Sequence, residues 1–326
     1  MVCFMTALER TLDLLGRIPN LQVAEGAPLA RYTRFGIGGP ADVYAETASA
    51  EVFVEALRQA RASGLPYVII GGGTNLIVSD QGFRGIVLRF TADGIAAEGS
   101  TVEADAGAEL GAVVDYSITR GLAGLETLAG IPGSLGAAVY GNAGAYGHSI
   151  SEVVETVRIF DGERIAVRTG ADCEFHYRES IFKRHKNWII FSARLALRAA
   201  DAGELRRAAD AILAERNRKF PPTMKCAGSI FKNLILAELP PAVAAQVPER
   251  VVREGKVPAA WFLEEAGARS LSCGEMRVAD YHANLIYNAG GGTARDLREL
   301  IADLKARVAA RFGLALEEEV QYVGFA

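Results

Sequence analysis

Four residues of continuous apolar chain, Tyr67-Val-Ile-Ile70, run without a break into Gly71-Gly-Gly-Thr-Asn75. An apolar run of this length bounded by turn residues reads as a buried strand. Three successive glycines after it open backbone conformations closed to other residues. Several N–H groups can then converge on an anion such as a pyrophosphate, with no side chain in the way. The GxGxxG dinucleotide fingerprint is not met, because Leu76 stands at its third glycine and Ser79-Asp80-Gln81-Gly82 reads as a turn where that fold needs a helix. Taken alone, the pattern leaves two readings open, a ligand cradle and a structural glycine turn.

A second glycine cluster bears on that choice. Between Gly121 and Gly147, eight glycines fall in 27 residues. Ile131, Leu135, Val139 and the alanines around them argue against a solvated linker and for a packed, ligand-facing loop. Two such loops can hold opposite sides of one dinucleotide.

The rest of the chain supplies ordinary folding signals. Ser49 caps a helix whose apolar face is Val52, Phe53, Ala56, Leu57 and Ala60, stopped by Gly64 and Pro66. A second helix spans about Glu109–Arg120. Asp161-Gly162 between two apolar runs is a type I′ hairpin signal, and Ile189, Phe191, Ala193, Leu195 and Leu197 alternate as a half-buried strand. A helix over about Asp201–Arg218 ends at Pro221-Pro222 and leads into a second domain. There, Thr293 and Asp296 open a capped helix with Leu297, Leu300, Ile301, Leu304 and Val308 on its apolar face and Gly313 at its end. A last strand is expected over Leu314–Val323, with Leu316, Val320 and Tyr322 on one face and Glu317, Glu319 and Gln321 on the other.

Composition excludes several classes. With 326 residues, half of them apolar, the chain can bury a full core in two or three domains. Its 35 basic and 39 acidic residues leave no basic excess for nucleic acid. Cys3, Cys173, Cys226 and Cys273 form no CxxC pair, and His148, His176, His185 and His282 no HxxxH, so idle thiols in a reducing compartment and no metal are expected. The N-terminal stretch, with Leu8, Leu12, Leu15 and Ile18 at helical spacing, reads as an amphipathic helix rather than a signal peptide, and no segment reaches the ~20 uncharged residues of a membrane span. A cytoplasmic protein with no membrane or nucleic-acid partner is expected.

Several ordered motifs resemble one family. Thr33-Arg-Phe-Gly-Ile-Gly-Gly-Pro-Ala41, Val68–Ile77, Gly130-Ile-Pro-Gly-Ser-Leu-Gly136 and Gly141-Asn-Ala-Gly-Ala-Tyr-Gly147 resemble the FAD-binding segments of UDP-N-acetylenolpyruvoylglucosamine reductases. Tyr177-Arg178-Glu-Ser180-Ile-Phe182-Lys183 is similar to that family's YRxSxFK, Ala227-Gly-Ser229-Ile-Phe-Lys-Asn233 to its AGSxFKN, and Leu316-Glu-Glu-Glu319-Val320 to its LEPEV. The resemblance implies an α+β chain: an FAD-binding domain of the vanillyl-alcohol-oxidase type over 1–200, in two subdomains split near 75–80; a smaller α/β substrate-binding domain over 201–312; and a C-terminal strand, 313–326, returning to the active site. It implies non-covalent FAD held by Gly71, Gly72, Gly73, Thr74, Asn75 and Leu76 on the pyrophosphate side. Gly130, Ile131, Pro132, Gly133, Ser134, Gly136, Asn142 and Gly144 would line the flavin. NADPH is the implied co-substrate, and UDP-N-acetyl-3-O-(1-carboxyvinyl)-glucosamine the implied substrate, reduced to UDP-N-acetylmuramate for peptidoglycan.

The implied chemistry suits the residue types. Hydride addition to an enolpyruvyl carboxylate pushes charge onto the carboxylate, which a fork-shaped, always charged Arg holds well. A Glu kept protonated by burial can donate to the second oxygen, and a positioned hydroxyl can deliver the final proton. Carried over by position, Arg178 and Glu319 become the enolate stabilisers and Ser229 the proton donor; Tyr177, Lys219, Asn233 and Lys256 become the substrate contacts, with Lys232 a further candidate. Read without the family, Ser229 is a loop serine, Arg178 a surface ion-pair residue and Glu319 part of a solvated glutamate run.

This chain departs from the pattern at Leu234, where proline usually follows, and at Glu318, the proline of LEPEV. About twenty extra residues before Lys256 suggest a surface excursion. The short link from Lys183 to Trp188 resembles the branch that lacks a tyrosine-bearing substrate loop. Two other classes stay open from sequence: an alcohol- or hydroxy-acid-oxidising flavoenzyme, and a non-catalytic nucleotide-sugar sensor.

Overall fold

The computed structural model describes residues 6–325; Cys3 and the first residues of the N-terminal stretch lie outside them. The chain divides into two compact units, each mixing helices with short-stranded sheets. The first holds Met1–Ala27, Ala41–Gly73 and Arg84–Arg218; the second holds Pro28–Pro40, Thr74–Phe83 and Lys219–Ala326. This division by compactness breaks the chain after Gly73 and Arg218 and places the C-terminal residues with the second unit. The helix Ala202–Lys219 goes almost entirely with the first unit, and two short N-terminal segments go with the second.

In the first unit, strands Gln22–Pro28, Pro40–Thr47, Phe83–Phe90 and Tyr67–Ile70 form one sheet in that order. Among the described residues Tyr67–Ile70 pairs with Phe83–Phe90 alone, in parallel, and of its four residues Ile70 is the buried one. The continuous apolar run thus marks an edge strand that is only partly buried, not the buried strand its sequence predicts. The helix Ala50–Ala62 is capped as its sequence predicts, with Ser49 Oγ accepting from Val52 N–H at 3.3 Å. Its Phe53, Ala56, Leu57 and Ala60 are buried together with Leu15 of the helix Ala7–Gly16. Phe53, Phe90 and Phe191 meet edge to face with centroids 4.9–6.0 Å apart, an arrangement worth about 0.5–1.5 kcal/mol per pair beyond burial.

A second sheet, antiparallel throughout, has the order Ile165–Thr169, Val154–Phe160, Ile189–Ala196, Thr101–Asp105, Ile95–Glu98. The hairpin at Asp161-Gly162 forms, but not through a type I′ turn, which needs two positive φ values. Gly162 has φ 101°, while Glu163 is not left-handed. The Asp161 carboxylate instead accepts from the N–H groups of Glu163 and Arg164 at 3.0 and 2.9 Å, an Asx-type clamp on the turn.

In the second unit, strands Ser272–Cys273, Met276–Ala279 and His282–Asn288 pack with helices Ala259–Glu265 and Ala294–Phe312 around one core. The long helix begins with the expected reciprocal Thr293/Asp296 box and ends on Gly313 at φ 67°. All five predicted apolar positions are buried, each contributing about 1.5–3 kcal/mol. The C-terminal strand is much shorter than expected: only Gln321–Val323 is regular, paired in parallel with Leu76–Val78. Its alternation also breaks, since Val320 and Val323 are buried while Tyr322 is exposed. The extra segment after Asn233 is no mere surface excursion. Its ends close through Leu234–Val257 pairing, and Leu239 and Val243 enter the core.

Among the described residues, no helix is long and apolar enough to cross a membrane, and no His/Cys/Asp/Glu group could hold a metal. Cys173, Cys226 and Cys273 are free thiols.

Candidate active site

The two glycine clusters meet within the first unit. A Cβ on Gly71 would lie 3.4 Å from Ser134 Oγ, and one on Gly72 would lie 3.5 Å from Gly133 Cα and Ser134 N. These are contact distances, so anything larger than a methyl at 72 fills the space between the loops. Among the described residues, no protein group accepts from the N–H of Gly71, Gly72 or Gly73. Gly71 and Gly72 are exposed and Gly73 is buried, so the run presents open backbone amides of the kind that can converge on an anion.

The second cluster is not a loop throughout. Ser134 caps a six-residue helix, Leu135–Tyr140, whose Leu135, Ala138 and Val139 are buried. Gly136 answers to packing, because a Cβ there would sit 2.8 Å from Ala106 Cβ, and its N–H already donates to the Ala106 carbonyl at 2.9 Å. Asn142 is likewise committed within the protein. Its Nδ2 donates to the His176 carbonyl at 2.8 Å, and its Oδ1 accepts from Ser151 N–H. Gly144 packs against His148 and offers its carbonyl to Arg178.

That last bond explains the placing of Arg178. His176 and Glu179 exchange backbone bonds at 3.0 and 3.1 Å, closing a tight turn over Tyr177 and Arg178. Arg178 takes φ 58° there, a conformation that costs a non-glycine residue about 1–2 kcal/mol. It is over-determined by its neighbours: Arg178 Nη2 donates to Gly144 O at 2.9 Å, Lys183 Nζ to Arg178 O at 2.5 Å, and Ser180 Oγ to Tyr140 O at 2.6 Å. The guanidinium also lies 5.3 Å from the Tyr177 ring centroid. Backbone strain held by this many contacts is characteristic of functional turns.

Ser229 and Glu319 are brought to adjacent segments of the second unit. Ser229 bridges to Leu285, and the following Ile230 and Phe231 are clipped to the strand His282–Asn288. Asn284 does the clipping. Its carbonyl takes Ile230 N–H at 3.0 Å, its Oδ1 takes Phe231 N–H, and its Nδ2 returns a bond to Phe231 O, both at 2.9 Å. On the other side Glu319 N–H donates to Ile230 O at 2.8 Å, and Phe231 bridges to Glu318. Both Ser229 and Glu319 are half-buried. The neighbouring glutamates are not simply solvated: Glu317 pairs with Lys232 at 2.5 Å and Glu318 with Lys305 at 2.7 Å.

Of the substrate candidates, Tyr177 lies in the first unit and Lys219, Asn233 and Lys256 in the second. Asn233 Oδ1 accepts from Ala259 N–H at 3.3 Å, at the start of the helix Ala259–Glu265. Lys256 lies 3.9 Å from Glu254. The Lys219 carbonyl accepts from Tyr281 Oη at 2.7 Å. Beside it His282 packs on Phe220, and burial first, then the Lys219 charge, pushes its pKa below the usual histidine value against a weaker pull from Glu264.

Comparison with known proteins decides among the classes left open. Residues 220–323 match the C-terminal domain family of UDP-N-acetylenolpyruvoylglucosamine reductase, and residues 41–170 match the FAD binding domain family. The chain is 64% identical to the UDP-N-acetylenolpyruvoylglucosamine reductase of Solibacter usitatus, over 95% of this chain and 99% of that one. The chain belongs to this reductase family. A relative of the same name from Gloeobacter violaceus is 37% identical over 93% of this chain and 97% of its own. The crystal structure of UDP-N-acetylenolpyruvylglucosamine reductase from Thermus caldophilus superposes with a TM-score of 0.71, at 28% identity, covering 93% of this chain and 98% of that one. The family's two-domain order, FAD binding domain then reductase C-terminal domain, is thus present here.

Sequence reasoning missed the supports. Asn284 sits in an unremarkable apolar run and gave no signal. Asp80 was read only as a turn residue, yet its carboxylate accepts from Ala294 and Arg295 N–H at 2.8 and 3.0 Å, anchoring the segment after the glycine run to the start of the long helix.

Proposed function

We propose that this protein is the FAD-dependent, NADPH-driven reductase that converts the enolpyruvyl ether of UDP-N-acetylglucosamine to UDP-N-acetylmuramate for peptidoglycan, acting in the cytoplasm. The observation that carries it is the Ile230–Glu319 backbone bond, which holds the candidate proton donor and the candidate acid on neighbouring segments in a chain of this family. FAD fits the residues present. The Gly71–Gly73 amides have no protein acceptor among the described residues, and the gap over Gly72 is one that a larger side chain would fill. Thr74, Asn75 and Leu76 continue that strip; Gly130, Ile131, Pro132, Gly133 and Ser134 stand for the flavin side, with Gly136, Asn142 and Gly144 shaping the loop from behind.

When bound, the flavin supplies a hydride to the methylene carbon of the enolpyruvyl group, having been reduced by NADPH. Arg178 then carries the charge that reaches the carboxylate, using the fork geometry that matches two oxygens. Glu319 donates a hydrogen bond to the same group when protonated. Ser229 Oγ gives its proton to the carbon beside the carboxylate, which completes the lactyl ether. Tyr177, Lys219, Asn233 and Lys256 hold the nucleotide sugar, the lysines acting as point charges toward the diphosphate.

The test is an anaerobic absorbance experiment on purified protein. NADPH should bleach a bound, acid-releasable flavin, and enolpyruvyl-UDP-N-acetylglucosamine should restore its colour with formation of the lactyl ether. Bleaching of the flavin by an alcohol and recolouring when oxygen is admitted, with none by the enolpyruvyl sugar, would overturn the reading in favour of an oxidase. Binding of the sugar with no flavin turnover would favour a sensor.

A further inference from the structure

We propose that Asn75 is a positioning residue for the Glu319 carboxyl, in addition to any contact its backbone makes with cofactor; the proposal rests on the assignment of Glu319 given above. Asn75 follows the glycine run in sequence and belongs to the same compact unit as Glu319. Its Nδ2 donates to the Glu319 carbonyl at 2.7 Å, across 244 residues of chain. Its own carbonyl accepts from Gln321 N–H at 3.0 Å. One residue thus grips the chain at Glu319 and two residues beyond it, and does so where regular structure is lacking: the parallel pairing of Leu76–Val78 begins only at Gln321.

On its other flank Glu319 N–H donates to the Ile230 carbonyl at 2.8 Å. Residue 319 is therefore fixed by two bonds from opposite directions, one from the segment that carries Ser229 and one from Asn75. The peptide N–H group is satisfied by the first and the peptide oxygen by the second. With both made, the rotation of the peptide units around Glu319 is fixed, and with it the direction in which its Cα–Cβ bond leaves the chain. Losing the Asn75 bond frees the carbonyl to turn, and a displacement of about 1 Å in an acting group costs on the order of 10²-fold in rate. Asn suits the task because its amide is a donor that stays neutral at every working pH, unlike Asp.

The test uses the full-length holoenzyme and four proteins: wild type, Asn75→Ala, Glu319→Gln and the double variant. Flavin content, the rate of flavin bleaching by NADPH and the rate of reoxidation by the enolpyruvyl sugar are measured on each. On the flavin-loaded fraction, Asn75→Ala should slow reoxidation about 10- to 100-fold more than it slows bleaching by NADPH. In the Glu319→Gln background the same change should cost nothing further, because a residue that acts through another has no effect once that one is disabled. Asn75→Asp supplies a second readout: its carboxylate faces the Glu319 carbonyl as an acceptor, and reoxidation should recover as pH falls and the group becomes a donor. Losses that multiply in the double variant, or equal slowing of both half-reactions in flavin-loaded Asn75→Ala, would each overturn the proposal. A wild-type flavin that the enolpyruvyl sugar does not reoxidise would instead overturn the assigned reaction, and a normal Glu319→Gln rate would overturn the role of Glu319.

Discussion

The Asn142 side chain donates to the carbonyl of His176 at 2.8 Å, joining the second glycine cluster to the turn that holds Arg178. Asn142 is buried, adopts φ 44°, and also accepts from Ser151 N–H. Asparagine tolerates that backbone better than most residues. Asn142→Ala removes one of two donors to the His176 carbonyl, which Glu179 N–H still pairs, and leaves the Ser151 N–H without its acceptor, at about 1–3 kcal/mol if it stays dry. A fall in unfolding midpoint of several degrees is expected, with lowered turnover from a loosened Arg178 turn. An unchanged midpoint would mean that the Ser151 N–H finds another partner.

Arg178→Lys should lower turnover by about 10²-fold or more, since an ammonium cannot make two parallel bonds to a carboxylate. Comparing Arg178→Gly with Arg178→Ala isolates the backbone. Both lose the guanidinium, but only alanine keeps a Cβ at φ 58°, so the glycine variant should be more stable by about 1 kcal/mol. Chemical denaturation of the two inactive proteins checks this; equal stability would mean that the turn relaxes.

Ser229→Ala should separate the half-reactions. NADPH should still bleach the flavin at close to the normal rate, whereas reoxidation by the enolpyruvyl sugar should slow by about 10²–10⁴-fold for want of a positioned acid. Stopped-flow absorbance reads both steps on one sample. Equal slowing of the two would make the serine structural.

Two glycines should fail in different ways. At Gly72 a Cβ meets only ordinary contacts, so Gly72→Val should leave the fold standing but lose flavin, read as the absorbance ratio after gel filtration. At Gly136 a Cβ would press on Ala106, so Gly136→Ala should destabilise by about 1–3 kcal/mol. A yellow, fully loaded Gly72→Val protein would move the pyrophosphate elsewhere.

His282 gives a pH dependence whose sign is set. Its folded pKa is depressed by burial and by Lys219. The unfolded chain therefore binds the proton more tightly, and the stability held by neutral His282 is complete above about pH 6.5 and is lost as pH falls through the lower folded value. His282→Gln should flatten the dependence of unfolding midpoint on pH between about 7 and 5. A slope identical to wild type would place the acid sensitivity in other groups.

Local signals were the legible ones. The Thr293/Asp296 helix could be read because its caps and apolar face lie within a few turns of one another, and the YRxSxFK and AGSxFKN motifs could be read because each is contiguous. What the sequence hid depends on partners far along the chain. The run before the glycines reads as a buried strand, but the strand is a partly buried edge, and its apolar side chains give no hint of which neighbour is missing. The glutamate run was mistaken for part of a long strand because its pairing comes from Ile230 and Phe231 and its pattern reverses after Val320. The helix behind Ser134 was masked by flanking glycines, which lower helix propensity but are needed here for close approach to Ala106.

The pairing of Leu76–Val78 with Gln321–Val323 has a consequence for biosynthesis. At bacterial elongation rates of roughly 5–20 residues per second, the 244 residues between Asn75 and Glu319 take about 10–50 s to make. Throughout that time the segment after the glycine run waits on the ribosome with an open strand edge, competent to pair with a neighbouring nascent chain. The second unit cannot close until residue 323 has cleared the exit tunnel, so the nascent chain must be kept from aggregating for nearly the whole of its translation.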